Sequence, residues 1–357
     1  MNRVTHLMPA TISIARRSIG QDQPCFIIAE AGVNHNGDLA LARQLVDVAA
    51  QAGADAVKFQ TFKAEKVISP AASKAAYQVE TTGAGESQLE MVKRLELPFE
   101  AFRELFAYCQ SKNILFLSTP FDQESADFLD ELGVAAFKIP SGEITNLPFL
   151  AHVARKGKPM IVSTGMSYLG EVETAVRTIV DAGNLNIVLL HCVSNYPADP
   201  ADANLRAMHT LSLVFGVPAG FSDHTLGLQV PLAAVALGAC IIEKHFTLDR
   251  TLPGPDHRAS LEPDQLGALV QGIRTVEAAL GHGRKEPAAS EANTAAVARR
   301  SLVASRDIPV GTVLTKEHIA IQRPGNGLPP AWLPHLLGRT ARAAISAGTL
   351  ITLEMLA

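Results

Sequence analysis

The chain has 357 residues, 47 % hydrophobic and 18 % charged, which excludes wholesale disorder and suggests about two domains. Its formal net charge of −4 excludes a general nucleic-acid or membrane-surface binder, so any basic site must be local. The longest apolar run, 230–242, contains Pro231 and is too short to span a bilayer. Residues 1–20 lack the sustained apolar core of a signal peptide, so a cytoplasmic location is expected. Cys25, Cys109, Cys192 and Cys240 show no CxxC spacing and read as reduced thiols, not as a disulfide frame or a zinc site.

Residues 12–19 read as a hairpin able to plug a barrel floor. Apolar, β-branched runs then alternate with stretches of helical period. Strands are predicted at 26–30, 54–60, 114–119, 136–140, 159–164, 187–193, 219–223 and 240–246. Helices are predicted at 39–52, 98–112, 123–132, 147–156, 169–182, 203–215 and 229–238, with 263–280 closing the series. Gly53, Gly133, Gly157 and Gly183 stand where a left-handed C-cap would end a helix before the next strand. Eight β–α units argue for a (β/α)8 TIM barrel, and the absence of a GxGxxG turn weighs against an open doubly wound sheet. The predicted catalytic domain is 1–282, hairpin included, followed by a polar, alanine-rich linker at 283–298. In 299–357, IPVGTVLT (308–315) is echoed by ISAGTLIT (345–352), with Glu317 and Glu354 in step. That echo predicts a small pseudo-symmetric β-rich domain.

Barrel chemistry is built at the C-terminal ends of the strands. Here the first strand ends in Glu30, the second in Lys58 and Gln60, and the third in Ser118-Thr119. The fourth carries Lys138, with Ser141 and Glu143 beyond it, and the fifth ends Ser163-Thr164. The sixth offers His191, with Tyr196 in the following loop, and the seventh Ser222-Asp223-His224. The eighth ends Glu243-Lys244-His245, and Asp256 lies in the loop after it. Singly, such a lysine is most often a structural ion-pair partner and such a histidine a hydrogen-bonded core residue. Eight polar strand ends in succession argue for a catalytic rim. Two lysines beside Thr119, Ser141, Ser163 and Ser222 suit a multiply charged anion, with hydroxyls bonding its phosphate or carboxylate oxygens. His224 and His245 end neighbouring strands and could converge on one divalent cation, for which Mn²⁺ is favoured over structural zinc. Glu30, Glu143 and Asp256 remain for proton transfer or for holding hydroxyls. Together these suit addition of a phosphorylated three-carbon enol to a carbonyl compound.

The strings AEAGVNHNG (29–37), VKFQTF (57–62), FLSTPFD (116–122), FKIPSGEI (137–144) and STGMS (163–167) run in order along the chain. LLHCVSNYP (189–197), FSDHTLG (221–227), EKHFTLDR (243–250), PGPDH (253–257) and QRPGNG (322–327) follow. In these motifs the chain resembles the sialic acid synthase family, and residues 299–357 resemble its antifreeze-like (SAF) domain. The resemblance implies condensation of phosphoenolpyruvate with an N-acetylmannosamine-type sugar to a nonulosonic acid, with phosphate released by C–O cleavage. It implies that Lys138, Thr119, Ser141 and Ser163 hold the donor's phosphate, and Lys58 with Ser222 its carboxylate. His224 and His245 would bind Mn²⁺, while Glu30, Gln60, Tyr196 and Asp256 would position the sugar, with Glu143 a candidate acid/base. Arg323 would reach the acceptor from a partner subunit, making the working unit a domain-swapped homodimer.

The expected activity is N-acetylneuraminate synthase. An alternative is N,N'-diacetyllegionaminate synthase acting on 2,4-diacetamido-2,4,6-trideoxymannose, toward which Lys74, Tyr77 and Gln78 in the loop 62–87 lean. A remoter alternative is a Schiff-base aldolase using Lys58, Lys138 or Lys244. Ser194 departs from the Asn that some sialic acid synthases carry, so one phosphate contact differs.

Overall fold

The structure, a computed structural model, describes residues 8–357. The first seven positions of the predicted barrel domain, which also belong to the stretch read for a signal peptide, lie outside the described residues. The chain divides into two compact units, one closing at Gly281 and the other spanning His282–Ala357.

The first unit opens with an antiparallel hairpin, β1 (Thr11–Ile14) and β2 (Arg17–Gly20). Eight parallel strands follow: β3 (Phe26–Gly32), β4 (Ala56–Thr61), β5 (Leu115–Pro120), β6 (Phe137–Ile139), β7 (Met160–Ser163), β8 (Ile187–Cys192), β9 (Ala219–Asp223) and β10 (Ile241–His245). They pair in the order β5-β4-β3-β10-β9-β8-β7-β6. β5 and β6 lie alongside each other without a hydrogen-bonded ladder, so the barrel closes except for that seam. Each strand is followed by a helix, from Leu39–Ala52 after β3 to Pro263–Leu280 after β10. The predicted (β/α)8 architecture is therefore the observed one.

Both faces of these strands are buried, and alternate residues face opposite ways. Ile27, Val57, Phe137, Val162, Leu189 and Ile242 pack outward against the helices in the main core. Phe26, Ile28, Leu117, Ile161, Val188 and Ile241 form a separate inner cluster. Ile12, Ile14 and Ile19 of the hairpin belong to that inner cluster, as expected of a plug. Asp55 ties the same end together, accepting hydrogen bonds from Ile27 N at 2.8 Å, Arg17 Nη1 at 2.5 Å and Arg274 Nη2 at 3.1 Å. All four cysteines are free and buried.

One connection is long. Between β4 and the helix Phe99–Ser111 the chain forms three short helices, Ala64–Val67, Ala76–Thr82 and Gln88–Arg94. Ser87 and Glu90 cap the third reciprocally, with Glu90 N donating to Ser87 Oγ and Ser87 N to Glu90 Oε2.

In the second unit the predicted linker contains a helix, Ala292–Ala298. Gly325 N donates to Ala296 O, so this stretch has a fixed partner instead of running free. β11 (Ser301–Ala304) pairs antiparallel with β12 (Ile319–Gln322). The sequence echo becomes a pseudo-symmetric pair in which Ile308 and Ile345 exchange both backbone hydrogen bonds, at 2.8 and 2.9 Å. The core repeats at the same offset: Ala304 with Ala341, Leu314 with Ile351, and Ile319 with Leu356 are all buried. Gly311 and Gly348 take φ of +80° and +81°, the left-handed turn each copy requires.

Candidate active site

Moving toward the C-terminal ends of the strands, the inward positions change from apolar to polar. A cavity of about 400 Å³ opens there, and every site residue predicted from the sequence lines it except Glu143 and Arg323. The alternation of β4 sends Lys58 and Gln60 inward, and that of β10 sends Glu243 and His245 inward.

Charge in the cavity is organised around Glu243, which the sequence reading placed at a strand end but did not assign to the site. Its carboxylate lies 3.6 Å from Lys58 Nζ and 3.4 Å from Lys138 Nζ, and accepts a 2.8 Å hydrogen bond from Ser222 Oγ. Lys58 also meets Glu30 at 2.6 Å and donates to Thr119 Oγ1 at 2.8 Å. Gln60 Nε2 donates to the other Glu30 oxygen at 3.4 Å. Burial would raise the Glu243 carboxyl, but Lys138 and Lys58 outweigh it and hold it at about 2. Glu30 is pushed by burial up to about 7, with Lys58 only partly offsetting the effect. Burial likewise opposes charge on Lys58, yet Glu243 and Glu30 prevail and shift it upward. For Lys138 burial wins over Glu243, and the shift is downward. The result is two cations sharing one firmly ionised carboxylate that faces the cavity.

Beside this pair lies a set of small donors. Ser141 Oγ accepts from Gly165 N at 3.0 Å and sits 3.1 Å from Cys192 Sγ. Among the described residues, Ser163 Oγ is buried with no hydrogen-bond partner. Gly165 is required here, since a Cβ on it would fall 2.3 Å from Ser194 Oγ, 2.7 Å from Cys192 Sγ and 2.8 Å from Ser141 Oγ.

On the other side, His224 and His245 face each other with ring centroids 5.4 Å apart. Tyr196 stacks on His224 at 4.0 Å, and Tyr77 from the long connection packs on Tyr196 at 5.1 Å. Burial lowers His224 to about 4 and His245 well below its usual value, so both rings are neutral near pH 7. His224 Nδ1 lies 2.6 Å from the Val193 carbonyl, which fixes the tautomer with Nε2 as a lone-pair donor. His245 Nδ1 is buried without a hydrogen-bond partner among the described residues. Two neutral imidazoles, one held by a backbone carbonyl and one with an orphaned nitrogen, are the donor chemistry a divalent cation takes. Among the described residues no group of three His, Cys, Asp or Glu side chains is arranged to hold a metal, so water or substrate would have to complete the coordination. Asp256 is pushed by burial to about 6.

Glu143, His191, Lys244 and Arg323 have hydrogen-bond or ion-pair partners of their own. Glu143 does not line the cavity, and its carboxylate accepts from Asn146 Nδ2 at 2.7 Å. Asn146 caps the helix Leu147–Ala154 by accepting from Phe149 N, so Glu143 steadies a cap. Among rim residues, His191 bonds Ala203 O at 2.8 Å, and Cys192 takes the place in the cavity lining. Lys244 is paired with Asp223 at 2.6 Å and donates to the Thr225 carbonyl, which removes it as a Schiff-base candidate. Arg323 belongs to the second unit, where it is exposed and donates to Ala298 O at 3.1 Å.

Residues 45–285 match the NeuB family and residues 299–357 the SAF domain. The chain is 51 % identical to the N,N'-diacetyllegionaminic acid synthase of Campylobacter jejuni, over 88 % of this chain and 95 % of that one. It is 49 % identical to the N,N'-diacetyllegionaminic acid synthase of Legionella pneumophila, over 94 % and 95 %. Its fold matches the crystal structure of the N-acetylneuraminic acid (sialic acid) synthetase of Leptospira borgpetersenii with a TM-score of 0.71 and 42 % identity, covering 81 % of this chain and 96 % of that one. The chain therefore belongs to the NeuB family and carries a SAF domain after its barrel.

Proposed function

We propose that the chain is an N,N'-diacetyllegionaminic acid synthase, condensing phosphoenolpyruvate with 2,4-diacetamido-2,4,6-trideoxymannose. The reaction class rests on one observation: Lys58, Lys138, buried hydroxyls and two neutral imidazoles converge on one cavity. The choice of acceptor is supported by the two relatives at about half identity, both of which carry that name. N-acetylneuraminate synthase, the first expectation, is the second reading and is supported by the solved structure at 42 % identity.

In this reading Lys138, Thr119, Ser141 and the unpartnered Ser163 hydroxyl hold the donor's phosphate, and Lys58 with Ser222 its carboxylate. Held at both ends, the donor presents C3 to the sugar's aldehyde carbon at high effective concentration. Gln60 and Tyr196 orient the open-chain sugar. Glu30 and Asp256, both raised by burial, can supply the proton that the aldehyde oxygen takes up. His224 and His245 would hold Mn²⁺, which when bound supplies Lewis-acid polarisation of that aldehyde. Bond formation leaves positive charge at C2, which the neighbouring donor carboxylate steadies. Water then adds at C2 and phosphate leaves with the bridging oxygen. Arg323 of a second copy would complete the acceptor site. Mixing inactive Arg323→Ala and Lys138→Ala proteins should then restore part of the activity, and no recovery after subunit exchange would refute the shared site.

The test of the reading is phosphate release from phosphoenolpyruvate with Mn²⁺, comparing 2,4-diacetamido-2,4,6-trideoxymannose with N-acetylmannosamine, with and without EDTA. Release that requires both metal and sugar, and is faster with the diacetamido sugar, is expected. Faster turnover of N-acetylmannosamine would establish the second reading. No phosphate release, with EDTA-insensitive borohydride trapping of pyruvate on the protein, would establish the aldolase.

A further inference from the structure

Two motifs of the sequence, AEAGVNHNG (29–37) and PGPDH (253–257), meet in space through Asn36 and His257. Asp256 of the second motif lines the cavity from the connection 246–262, between β10 and the helix Pro263–Leu280. Burial alone shifts its carboxyl, with no hydrogen-bond donor among the described residues to offset it. A buried carboxyl without a partner gains by swinging out to water, so the loop that carries it must be held. Asn34, 1 % exposed, donates from Nδ2 to Phe246 O at 2.8 Å and to Ser260 Oγ at 3.0 Å. Ser260 Oγ in turn donates to the carbonyl of Asp256 itself at 2.7 Å. His257, the next residue, is fully buried; its Nε2 donates to Asn36 Oδ1 at 3.2 Å and its Nδ1 lies 2.7 Å from Thr247 Oγ1. The two loops pass so closely that a Cβ on Gly254 would fall 2.7 Å from His257 Cδ2 and 2.9 Å from Asn36 Oδ1. Between the asparagines, His35 Nδ1 accepts from Gly37 N at 3.0 Å and fixes the turn that presents them.

We propose that Asn34 and Asn36 are positioning residues that hold Asp256 in the cavity by clamping the connection 246–262 around it. The inference deepens the proposed function and rests on its assignment of Asp256 to the sugar. A plainer role for Asn36 lies in its backbone, whose φ of +51° is left-handed, a conformation asparagine tolerates. Glycine would serve such a turn as well, but it offers His257 no acceptor. The two roles therefore separate at this one position.

The full chain is assayed as Asn36→Gly and Asn36→Asp, measuring kcat and the KM of each substrate. Asn36→Gly keeps the turn and removes the clamp, so kcat/KM for the sugar should fall about tenfold, within the 100-fold or so that a small misplacement costs. Phosphoenolpyruvate KM should stay constant, and Asn36→Asp, which keeps an acceptor, should restore most of the loss. In an Asp256→Ala background Asn36→Gly should cost nothing further, whereas general damage would cost the same factor in both backgrounds. Asn34→Ala, where melting shows it folded, should be masked in the same way. Amide hydrogen exchange without substrate should quicken about tenfold or more at 254–259 in Asn36→Gly and stay unchanged in the helix 39–52. A folded Asn36→Gly chain with wild-type sugar kinetics, exchange that does not quicken, or an equal loss in both backgrounds overturns the clamp and leaves Asp256 its role. Wild-type turnover in Asp256→Ala removes that role from the proposed function, and the inference falls with it.

Discussion

Adjacent residues of β10 carry two buried charge clusters with different consequences. Lys244 points away from the cavity and finds Asp223 at 2.6 Å together with the Thr225 carbonyl. Asp223 is closed off further by Thr225, whose N and Oγ1 donate to it at 2.9 and 2.8 Å. Every strong bond there is internal, and the cluster has nothing to offer a ligand. Glu243, one position earlier, faces the cavity and is shared between two lysines, and among the described residues its Oε2 is buried without a hydrogen-bond partner. One cluster is saturated and structural, the other under-satisfied and able to take an anion. A shift of one residue along a strand separates the two roles.

Substitutions can break this contrast, and the largest effect is expected at Lys138. Lys138→Met should lower kcat/KM by about 10³-fold, the scale of losing one aligned donor to a charged reacting group. The fold should survive, because Glu243 keeps Lys58 and Ser222. Steady-state kinetics beside thermal melting reads both quantities. Lys244→Met should do the reverse, costing about 3–5 kcal/mol of stability by stranding buried Asp223 while the folded protein keeps its turnover. Urea unfolding measures the first, and active-site-normalised kcat the second. Gly165→Ala should then raise the phosphoenolpyruvate KM about tenfold or more, on the scale of a donor pocket narrowed by one methyl. The added Cβ would press on Ser141, Cys192 and Ser194, so the sugar KM should change little. The smallest effect is expected at Glu143. Glu143→Gln should leave turnover unchanged and cost at most about 1 kcal/mol, the weight of a weakened cap. A large loss of kcat would restore Glu143 to the chemistry.

How much of this was legible follows from the same alternation. The eight strands and their helices stand out as β-branched runs between stretches of helical period. Which face of each strand meets the cavity does not stand out, because both faces are apolar along most of each strand. Hence the sequence points to His191 at the rim where Cys192 lines the cavity, and it does not single out Glu243 although period two pairs that residue with His245. Where two polar residues with the spacing i, i+2 share a face, as with Lys58 and Gln60, the reading was right. The short helices between β4 and Phe99 have too few residues to show periodicity. Only the Ser87–Glu90 capping box announces one of them. Tyr196 and Asp256 sit in loops and were legible only through the motifs NYP and PGPDH. Glu143 is ambiguous in the sequence for a physical reason, since a carboxylate three residues before a cap asparagine can serve the cap as readily as a substrate.

The account's central claim is that the two cavity lysines hold phosphoenolpyruvate for attack on a sugar aldehyde, with cleavage at C2. The most direct measurement uses phosphoenolpyruvate labelled with ¹⁸O at the bridging position, incubated with Mn²⁺ and 2,4-diacetamido-2,4,6-trideoxymannose. The account predicts that phosphate appears only when the sugar is present and that it carries the label. Unlabelled phosphate, or release that proceeds without the sugar, would contradict it.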